Sequence, residues 1–110
     1  EFDEAPAGMI GLETAFAQIH TALVNPGIID FLDLVRFLTA RPASALGLAG
    51  GCLKKNAPAD LVLIDPDEEW TYDRALICSR SKNTPLAGAA FTGRVQGIFL
   101  EGKWRSAIIG

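Results

Sequence analysis

The stretch "RVQGIFLEGKWRSAII", residues 94–109, decides the fold class of this sequence because it predicts a β-hairpin. Two runs rich in β-branched and aromatic residues flank the dipeptide Glu101-Gly102. A two-residue connection of this kind selects a tight hairpin turn, and glycine tolerates the positive φ that such a turn requires. The end of the chain is therefore predicted to be antiparallel β structure.

The segment before the hairpin extends the β prediction. "DLVLID", residues 60–65, is a compact β-run between two prolines, and "EEWTYD", residues 68–73, alternates as an edge strand does. "SRSKNTPLAG", residues 79–88, is polar and follows neither a strand nor a helix period, so we expect a loop.

The first half of the sequence predicts helices. From Gly11, an apolar stripe runs along one helix face at Leu12, Phe16, Ile19 and Leu23. Glu13 is expected in the first turn of this helix, where it complements the helix dipole. "NPG" at 25–27 ends the helix, because a proline disfavours helical backbone at the preceding residue.

Two shorter helices are expected next. Asp30 is the predicted N-cap of the second, whose buried face comprises Phe31, Leu34, Val35 and Leu38. The third is expected to begin at Pro42, since proline is favoured in the first turn of a helix.

Composition excludes several classes of protein. The net charge is −3 and no basic block occurs, so a nucleic-acid partner is not expected. No apolar run has the length of a membrane span, and no signal peptide opens the chain, so no membrane association is expected. Cys52 and Cys78 are predicted to be free, buried thiols, with a disulfide between them as the alternative.

The balance of apolar residues is unusual for a chain of 110 residues. They make up 49% of the sequence, and three or four strands beside helices form a poor closed core. "EFDEAPAG" at the start reads as the middle of a loop. We therefore expect a cut α+β fragment whose apolar faces pack on a missing part.

Four blocks resemble bacterial dihydroorotases of the cyclic amidohydrolase superfamily, in the order of that family. They are "EAPAGMIGLETAF" (4–16), "RPASALGL" (41–48), "APADLVLIDPDEEWT" (57–71) and "SKNTPLAGAAFTGRVQGIFLEGK" (81–103). Gly-Leu-Glu-Thr and Lys-Asn-Thr-Pro are the motifs that separate dihydroorotases from hydantoinases and allantoinases. Each motif alone is weak evidence for the family, whereas four motifs in the family's order are strong evidence for it.

The resemblance implies an α/β fold: the C-terminal part of a TIM-like (β/α)8 metal-dependent hydrolase barrel plus the C-terminal strands of a composite β-sandwich domain. Residues 1–52 would be the last active-site loop and terminal helices of the barrel, and residues 53–110 the C-terminal part of the small β-domain. The family's zinc ligands would all lie upstream of Glu1, so zinc is expected in the full-length parent and none is ligated by this fragment.

The resemblance also implies a function for the parent protein. It would be a cytoplasmic, zinc-dependent dihydroorotase that interconverts L-dihydroorotate and N-carbamoyl-L-aspartate in pyrimidine synthesis, with this fragment inactive alone. A non-catalytic subunit that scaffolds aspartate transcarbamoylase is one alternative, and a hydantoinase or allantoinase is another. The expected partners are the small-molecule substrate, the missing N-terminal part, and either a second copy or aspartate transcarbamoylase.

Ala7 and Gly8 are the candidate substrate-binding residues. Family members use the backbone at this place to bind the cyclic amide, and active-site loops of such barrels follow the C-terminal ends of the strands. Glycine with a small neighbour lets the main chain approach a ligand closely. Without the resemblance, a plain turn with glycine at positive φ is the alternative.

No catalytic residue or metal ligand is assigned within the chain. His20 is expected to be structural or at the surface, and "DPDEE" (65–69) to be a solvated turn, because it lacks the ligand pattern of a calcium loop. The polar 79–88 loop is expected to be structural: Lys82 and Asn83 would serve domain docking, and Pro85 would fix the entry to the next strand.

Overall fold

A computed structural model of the chain describes residues 3–5 and 7–107. Helices come first and strands second, as the sequence predicts. In chain order the elements are α1 (Ala15–Ile19), a π-helical segment (His20–Val24), α2 (Phe31–Leu38), α3 (Ala40–Ala45), β1 (Leu61–Thr71), a 3-10 turn (Arg74–Leu76), β2 (Ala90–Leu100) and β3 (Lys103–Ser106). Pro6 of the Ala-Pro-x-Gly loop and the predicted strand end at Ile108 and Ile109 lie outside the described residues.

The three strands form one antiparallel sheet in the order β1-β2-β3. The predicted hairpin is confirmed: Phe99 pairs with Trp104, and the turn residues Glu101 and Gly102 have φ values of 50° and 75°. Positive φ at both central residues is the geometry that matches the twist of the flanking strands. The Asp60 carboxylate accepts a hydrogen bond from the Glu101 N–H at 2.7 Å, which supports the non-glycine residue in this conformation.

β1 is one strand, and the prediction of two separate strands here was wrong. Its pairing with β2 shifts register between Leu63 and Ile64 and again between Asp65 and Glu69. At the second shift, Asp65 Oδ1 accepts hydrogen bonds from the N–H groups of Asp67 and Glu68, at 3.0 and 3.2 Å. The strand can continue because proline is tolerated at an edge or a bulge. "DPDEE" is therefore an irregularity within a strand, where a solvated turn was expected.

The helix boundaries differ from the prediction at two places. α1 begins at Ala15 rather than Gly11, so Leu12 lies before the helix and is 95% exposed. α3 begins at Ala40, two residues before Pro42. The predicted start of α2 is confirmed, because the Asp30 carboxylate accepts a hydrogen bond from the Asp33 N–H at 2.7 Å.

The helices and the sheet meet in a small core. Ala17 of α1 packs with Tyr72, Ile77 and Phe91 from the β half, and Leu34 of α2 is fully buried. The π-helical segment forms a second contact with β2. Thr21 Oγ1 donates to the Thr92 carbonyl at 3.2 Å and accepts from the Thr92 N–H at 2.9 Å. This one hydroxyl therefore pairs with both backbone groups of Thr92, as the backbone of a neighbouring strand would.

His20 is buried beside Thr21, at 4% exposure. Its Nδ1 lies 3.0 Å from the Thr92 carbonyl oxygen, and its ring packs against Phe16 and Phe31. A Cβ added at Gly93 would lie 2.8 Å from His20 Nδ1, so the glycine lets the ring approach the strand. The expectation of a structural histidine agrees with this environment.

Much of the apolar content lies on the surface, as expected. Among the described residues, the exposed large apolar ones are Met9, Leu12, Ile28, Leu32, Phe37, Leu38, Leu46, Leu48, Leu53, Leu61, Val62, Leu63, Phe99, Leu100 and Trp104. Both cysteines are free, which confirms that part of their prediction, but both are exposed rather than buried. Within the described ranges, no helix is long and apolar enough to cross a membrane.

Candidate functional site

The predicted substrate-binding pair lies at the exposed start of a loop, residues 7–14, which precedes α1 and ends at the buried Thr14. Ala7 and Gly8 are both solvent-exposed, and Gly8 has a φ of 99°. Apart from its two chain neighbours, no described residue has a heavy atom within 4 Å of the position that a Cβ would take at Gly8. The backbone conformation, rather than the available space, therefore requires glycine here.

Asn83 holds this loop from the other half of the chain. Its side-chain Nδ2 donates a hydrogen bond to the Gly8 carbonyl oxygen at 2.5 Å, and its backbone carbonyl accepts one from the Ile10 N–H at 3.0 Å. The two bonds fall on either side of Met9. The docking role expected for Asn83 thus has a specific target, the loop that precedes α1.

Glu13 ties the end of the same loop to residues 78–79. Its Oε1 accepts from the N–H and the hydroxyl of Ser79, at 2.8 and 2.6 Å. Its Oε2 accepts from the Cys78 N–H at 3.2 Å and the Tyr72 hydroxyl at 3.3 Å. Because α1 begins after Glu13, the predicted role of this carboxylate in the first helical turn was wrong. No local sequence signal pointed to its actual partners, which lie 59 to 66 residues further along the chain.

These hydrogen bonds and the burial of the two side chains determine the protonation states of Glu13 and Tyr72. The Ser79 hydroxyl, helped by the N–H groups of Ser79 and Cys78, lowers the pKa of Glu13 against a smaller opposing effect of burial. Burial, together with the nearby negative charge of Glu13, raises the pKa of Tyr72. Glu13 therefore remains an ionised acceptor and Tyr72 a protonated donor. This arrangement suits a structural carboxylate and not a proton shuttle.

Lys82 has a different role from the one expected. Its Nζ donates to the Ile77 carbonyl at 2.5 Å, so it braces its own segment instead of docking onto the helices. The buried Thr84 accepts a hydrogen bond from the Leu86 N–H at 3.1 Å and forms the turn around Pro85. The loop therefore supplies most of its polar groups to backbone partners.

The described residues do not fit a metal centre. Within residues 3–5 and 7–107, no three or more His, Cys, Asp or Glu side chains come together as a metal site would require. His20 lies in the helix–sheet contact, and Glu68 pairs with Arg94 at 2.7 Å and with Gln96. The arrangement at 7–14 offers main-chain groups to a ligand, and the Ser79 hydroxyl beside Glu13 is one of four donors that this carboxylate already accepts.

The sequence pattern of the amidohydrolase family matches residues 3–105. The chain belongs to the amidohydrolase family. This amidohydrolase chain is 41% identical over 104 residues to the dihydroorotase of Caldanaerobacter subterraneus subsp. tengcongensis, covering 94% of the chain and 24% of that relative. It is 41% identical over 103 residues to the dihydroorotase of Geotalea daltonii, with the same shares of the two chains. The chain thus spans about a quarter of the length of these curated relatives.

Two solved structures share the fold of this chain. The L-hydantoinase (dihydropyrimidinase) of Arthrobacter aurescens superposes with a TM-score of 0.85 at 28% identity, over 94% of this chain and 24% of that one. A D-hydantoinase superposes with a TM-score of 0.83 at 24% identity, over 94% of this chain and 23% of its own, and supports the fold alone. The amidohydrolase chain therefore has the fold of a corresponding piece of these enzymes, a small α/β unit with a three-stranded antiparallel sheet.

Substitution of Glu13 should reveal its structural role through pH. In the full-length protein, Glu13→Gln is expected to lower the free energy of unfolding by about 1 kcal/mol near neutral pH, because an amide cannot accept all four hydrogen bonds and the site is partly solvated. The pKa of Glu13 is lowered in the folded state, so its contribution is present above the ordinary value of 4.5 and is lost as pH falls through the lowered pKa.

Urea unfolding across this pH range measures the effect. Glu101→Gln is the matched control, because the Glu101 side chain makes no hydrogen bond or ion pair to a described residue. A Glu13→Gln deficit that stays constant well below the ordinary pKa of a glutamate would contradict the ionised, hydrogen-bonded carboxylate.

Proposed function

We propose that the chain is the C-terminal part of a dihydroorotase, which interconverts L-dihydroorotate and N-carbamoyl-L-aspartate in cytoplasmic pyrimidine synthesis. The observation that carries this proposal is the 41% identity to dihydroorotases along 94% of the chain, against 28% for the hydantoinase of similar fold. Both groups are amidohydrolases, so the difference in identity bears on substrate rather than on reaction type.

The main chain at Ala7 and Gly8 would contact the substrate. Neither residue's N–H donates a hydrogen bond to a described residue, and both residues face solvent. A cyclic amide offers carbonyl oxygens that such N–H groups can satisfy, and a ligand group left unpaired on binding costs affinity. A backbone contact also tolerates the small side chain of Ala7, because substrate recognition would not depend on the side chain at this position.

We also propose how this chain fits into the fold of the full-length protein. Residues 1–52 would complete a TIM-like barrel and residues 53–110 a β-sandwich domain, with the missing N-terminal part covering the exposed apolar faces. Leu61 and Leu63 lie on one face of β1 and are exposed, which supports a second layer on that face of the sheet, since alternate residues of a strand present apolar side chains to a packed neighbour. A zinc requirement is part of the proposal for the full-length protein only, with all ligands supplied from outside this chain.

The test is a substrate comparison on the full-length protein. We expect kcat/KM for L-dihydroorotate to exceed that for 5-substituted hydantoins and allantoin by at least about a hundredfold, because a site built to pair a substrate's polar groups rejects analogues that leave them unpaired. The measurement is ring opening at saturating and subsaturating substrate, with carbamoyl aspartate for the reverse reaction.

The other outcomes identify the alternatives. A preference for hydantoins would favour a hydantoinase, the function that the structural likeness to the Arthrobacter aurescens enzyme supports as second candidate. Absence of turnover, with stable co-elution of aspartate transcarbamoylase in sizing experiments, would identify a non-catalytic subunit. The same sizing experiments distinguish that complex from a homodimer.

A further inference from the structure

We propose that Asn83 is a positioning residue for substrate binding, which holds the Gly8–Met9 peptide in its ligand-accepting orientation. The inference rests on the proposed function, in which the backbone at Ala7 and Gly8 contacts the substrate. It adds a residue 75 positions further along the chain, which touches no substrate itself and acts through Gly8.

The geometry of the contact supports this role. Asn83 Nδ2 donates to the Gly8 carbonyl at 2.5 Å, and a planar trans peptide then directs the Met9 N–H away from Asn83. The Met9 N–H donates to no described residue, so, like the Ala7 and Gly8 N–H groups, it remains available to a ligand on the same open loop. The bond from the Ile10 N–H to the Asn83 carbonyl, at 3.0 Å, fixes the loop one residue further on.

A glycine with open space around it needs such a restraint. Among the described residues, Gly8 has no packing neighbour within 4 Å of a Cβ position, so packing against them does not select its conformation. Glycine loses more conformational freedom on ordering than any other residue, and a flexible ligand loop must be ordered when the ligand binds. The Asn83 amide orders the loop before the ligand binds. The entropy lost by the loop on binding is then smaller, and the net binding free energy is more favourable.

Asn83 can act in this way because its own segment is braced. The Asn83 N–H donates to Ser81 Oγ at 3.1 Å, and Lys82 Nζ is bonded to the Ile77 carbonyl. Glu13 holds Ser79 through two short hydrogen bonds, so the segment is attached to both the beginning and the end of the 7–14 loop. The polar character of residues 79–83 follows from this double attachment.

The experiment uses Asn83→Leu and Asn83→Asp in the full-length protein, with L-dihydroorotate as substrate. Leucine has a similar shape and cannot donate, while aspartate keeps the shape and adds a charge. For both variants we expect KM to rise about tenfold while kcat per folded molecule changes less than about threefold, since the loss is one of pre-organised binding. Asn56→Asp is the control, with the same charge change in an exposed loop.

A merely structural Asn83 would lower the unfolding midpoint and leave KM unchanged, and that result overturns the proposal. A KM increase in Asn83→Asp without one in Asn83→Leu also overturns it, because charge repulsion would then be the cause. If Asn83→Leu does not fold, Asn83→Ser replaces it, since the shorter hydroxyl cannot reach Gly8 but keeps the loop polar.

Failure of this inference can be separated from failure of the proposed function. If Gly8→Val raises KM and the Asn83 variants do not, the loop binds substrate without help from Asn83. If the wild-type protein does not turn over dihydroorotate, the proposed function fails, and hydrogen exchange at Ile10 then tests the restraint alone. We expect faster exchange in Asn83→Ser than in the wild type, and equal exchange rates would overturn the restraint.

Discussion

Gly8→Val is expected to lower kcat/KM for L-dihydroorotate about ten- to a hundred-fold in the full-length protein, the loss produced by one or two hydrogen bonds to a bound polar ligand. Gly8 has a φ of 99°, which a β-branched residue adopts only with strain, while the space around its Cβ position is open. The main chain would therefore move to relieve the strain, and the donors at residues 7–9 would move with it. Metal content should not change, because the substitution alters no side chain that could bind an ion.

Gly27→Val is the matched control for this substitution. Gly27 has a φ of 75° and also has no neighbour within 4 Å of its Cβ position, so the backbone strain is comparable. It lies in the turn after the π-helical segment, away from the 7–14 loop. Steady-state kinetics and unfolding curves of both variants separate the two effects: equal loss of stability with a kinetic defect in Gly8→Val alone supports the site. Wild-type kcat/KM in Gly8→Val would remove the loop from the active site.

His20→Ala should have the largest effect on stability and almost none on kinetics. Truncation of this buried ring leaves a cavity beside Phe16 and Phe31 and removes the hydrogen bond to Thr92, which together are expected to cost about 2–4 kcal/mol of unfolding free energy. The Thr92 carbonyl keeps its second donor, Thr21 Oγ1, so no buried acceptor is left alone. Denaturant unfolding measures the loss, and kcat/KM per folded molecule should stay within about twofold of the wild type.

A double-mutant cycle with Gly93→Ala shows whether the helix–sheet contact is the cause. The alanine Cβ would lie 2.8 Å from His20 Nδ1, so Gly93→Ala should be destabilising by itself. In the absence of the ring this clash disappears and only the strain of φ 86° remains, so the two substitutions should be less than additive. A His20→Ala variant that is stable but inactive would instead indicate a chemical role for the histidine.

Local chemistry in the sequence was sufficient for several elements. Asp30 predicted the start of α2 because a carboxylate at an N-cap accepts from an N–H three residues later, a contact that depends on nearby residues alone. Glu101-Gly102 predicted the hairpin for a similar reason, since the turn conformation follows from two consecutive residues. The family, too, could be recognised from motifs in fixed order, and it was confirmed by the match over residues 3–105.

Other boundaries depended on more than local preference. The apolar stripe predicted a helix from Gly11, yet α1 begins at Ala15 with Thr14 as its N-cap, and Glu13 accepts hydrogen bonds from residues 78–79 instead of lying in the first helical turn. The register of β2 carries β1 past Pro66, where the sequence alone suggests a break. In both cases a partner from a distant part of the chain outweighs the local signal.

The sequence by itself determined the types of element, their order and the family, because these follow from short-range preferences and from motif order. Only the tertiary structure decided which polar groups meet. Asn83 reaches Gly8 across 75 residues and Ser79 reaches Glu13 across 66, and no periodicity encodes a hydrogen bond at such separations. A polar side chain is satisfied by whichever donor or acceptor the packed chain places within about 3 Å, so its partner is a property of the fold and not of its neighbours in sequence.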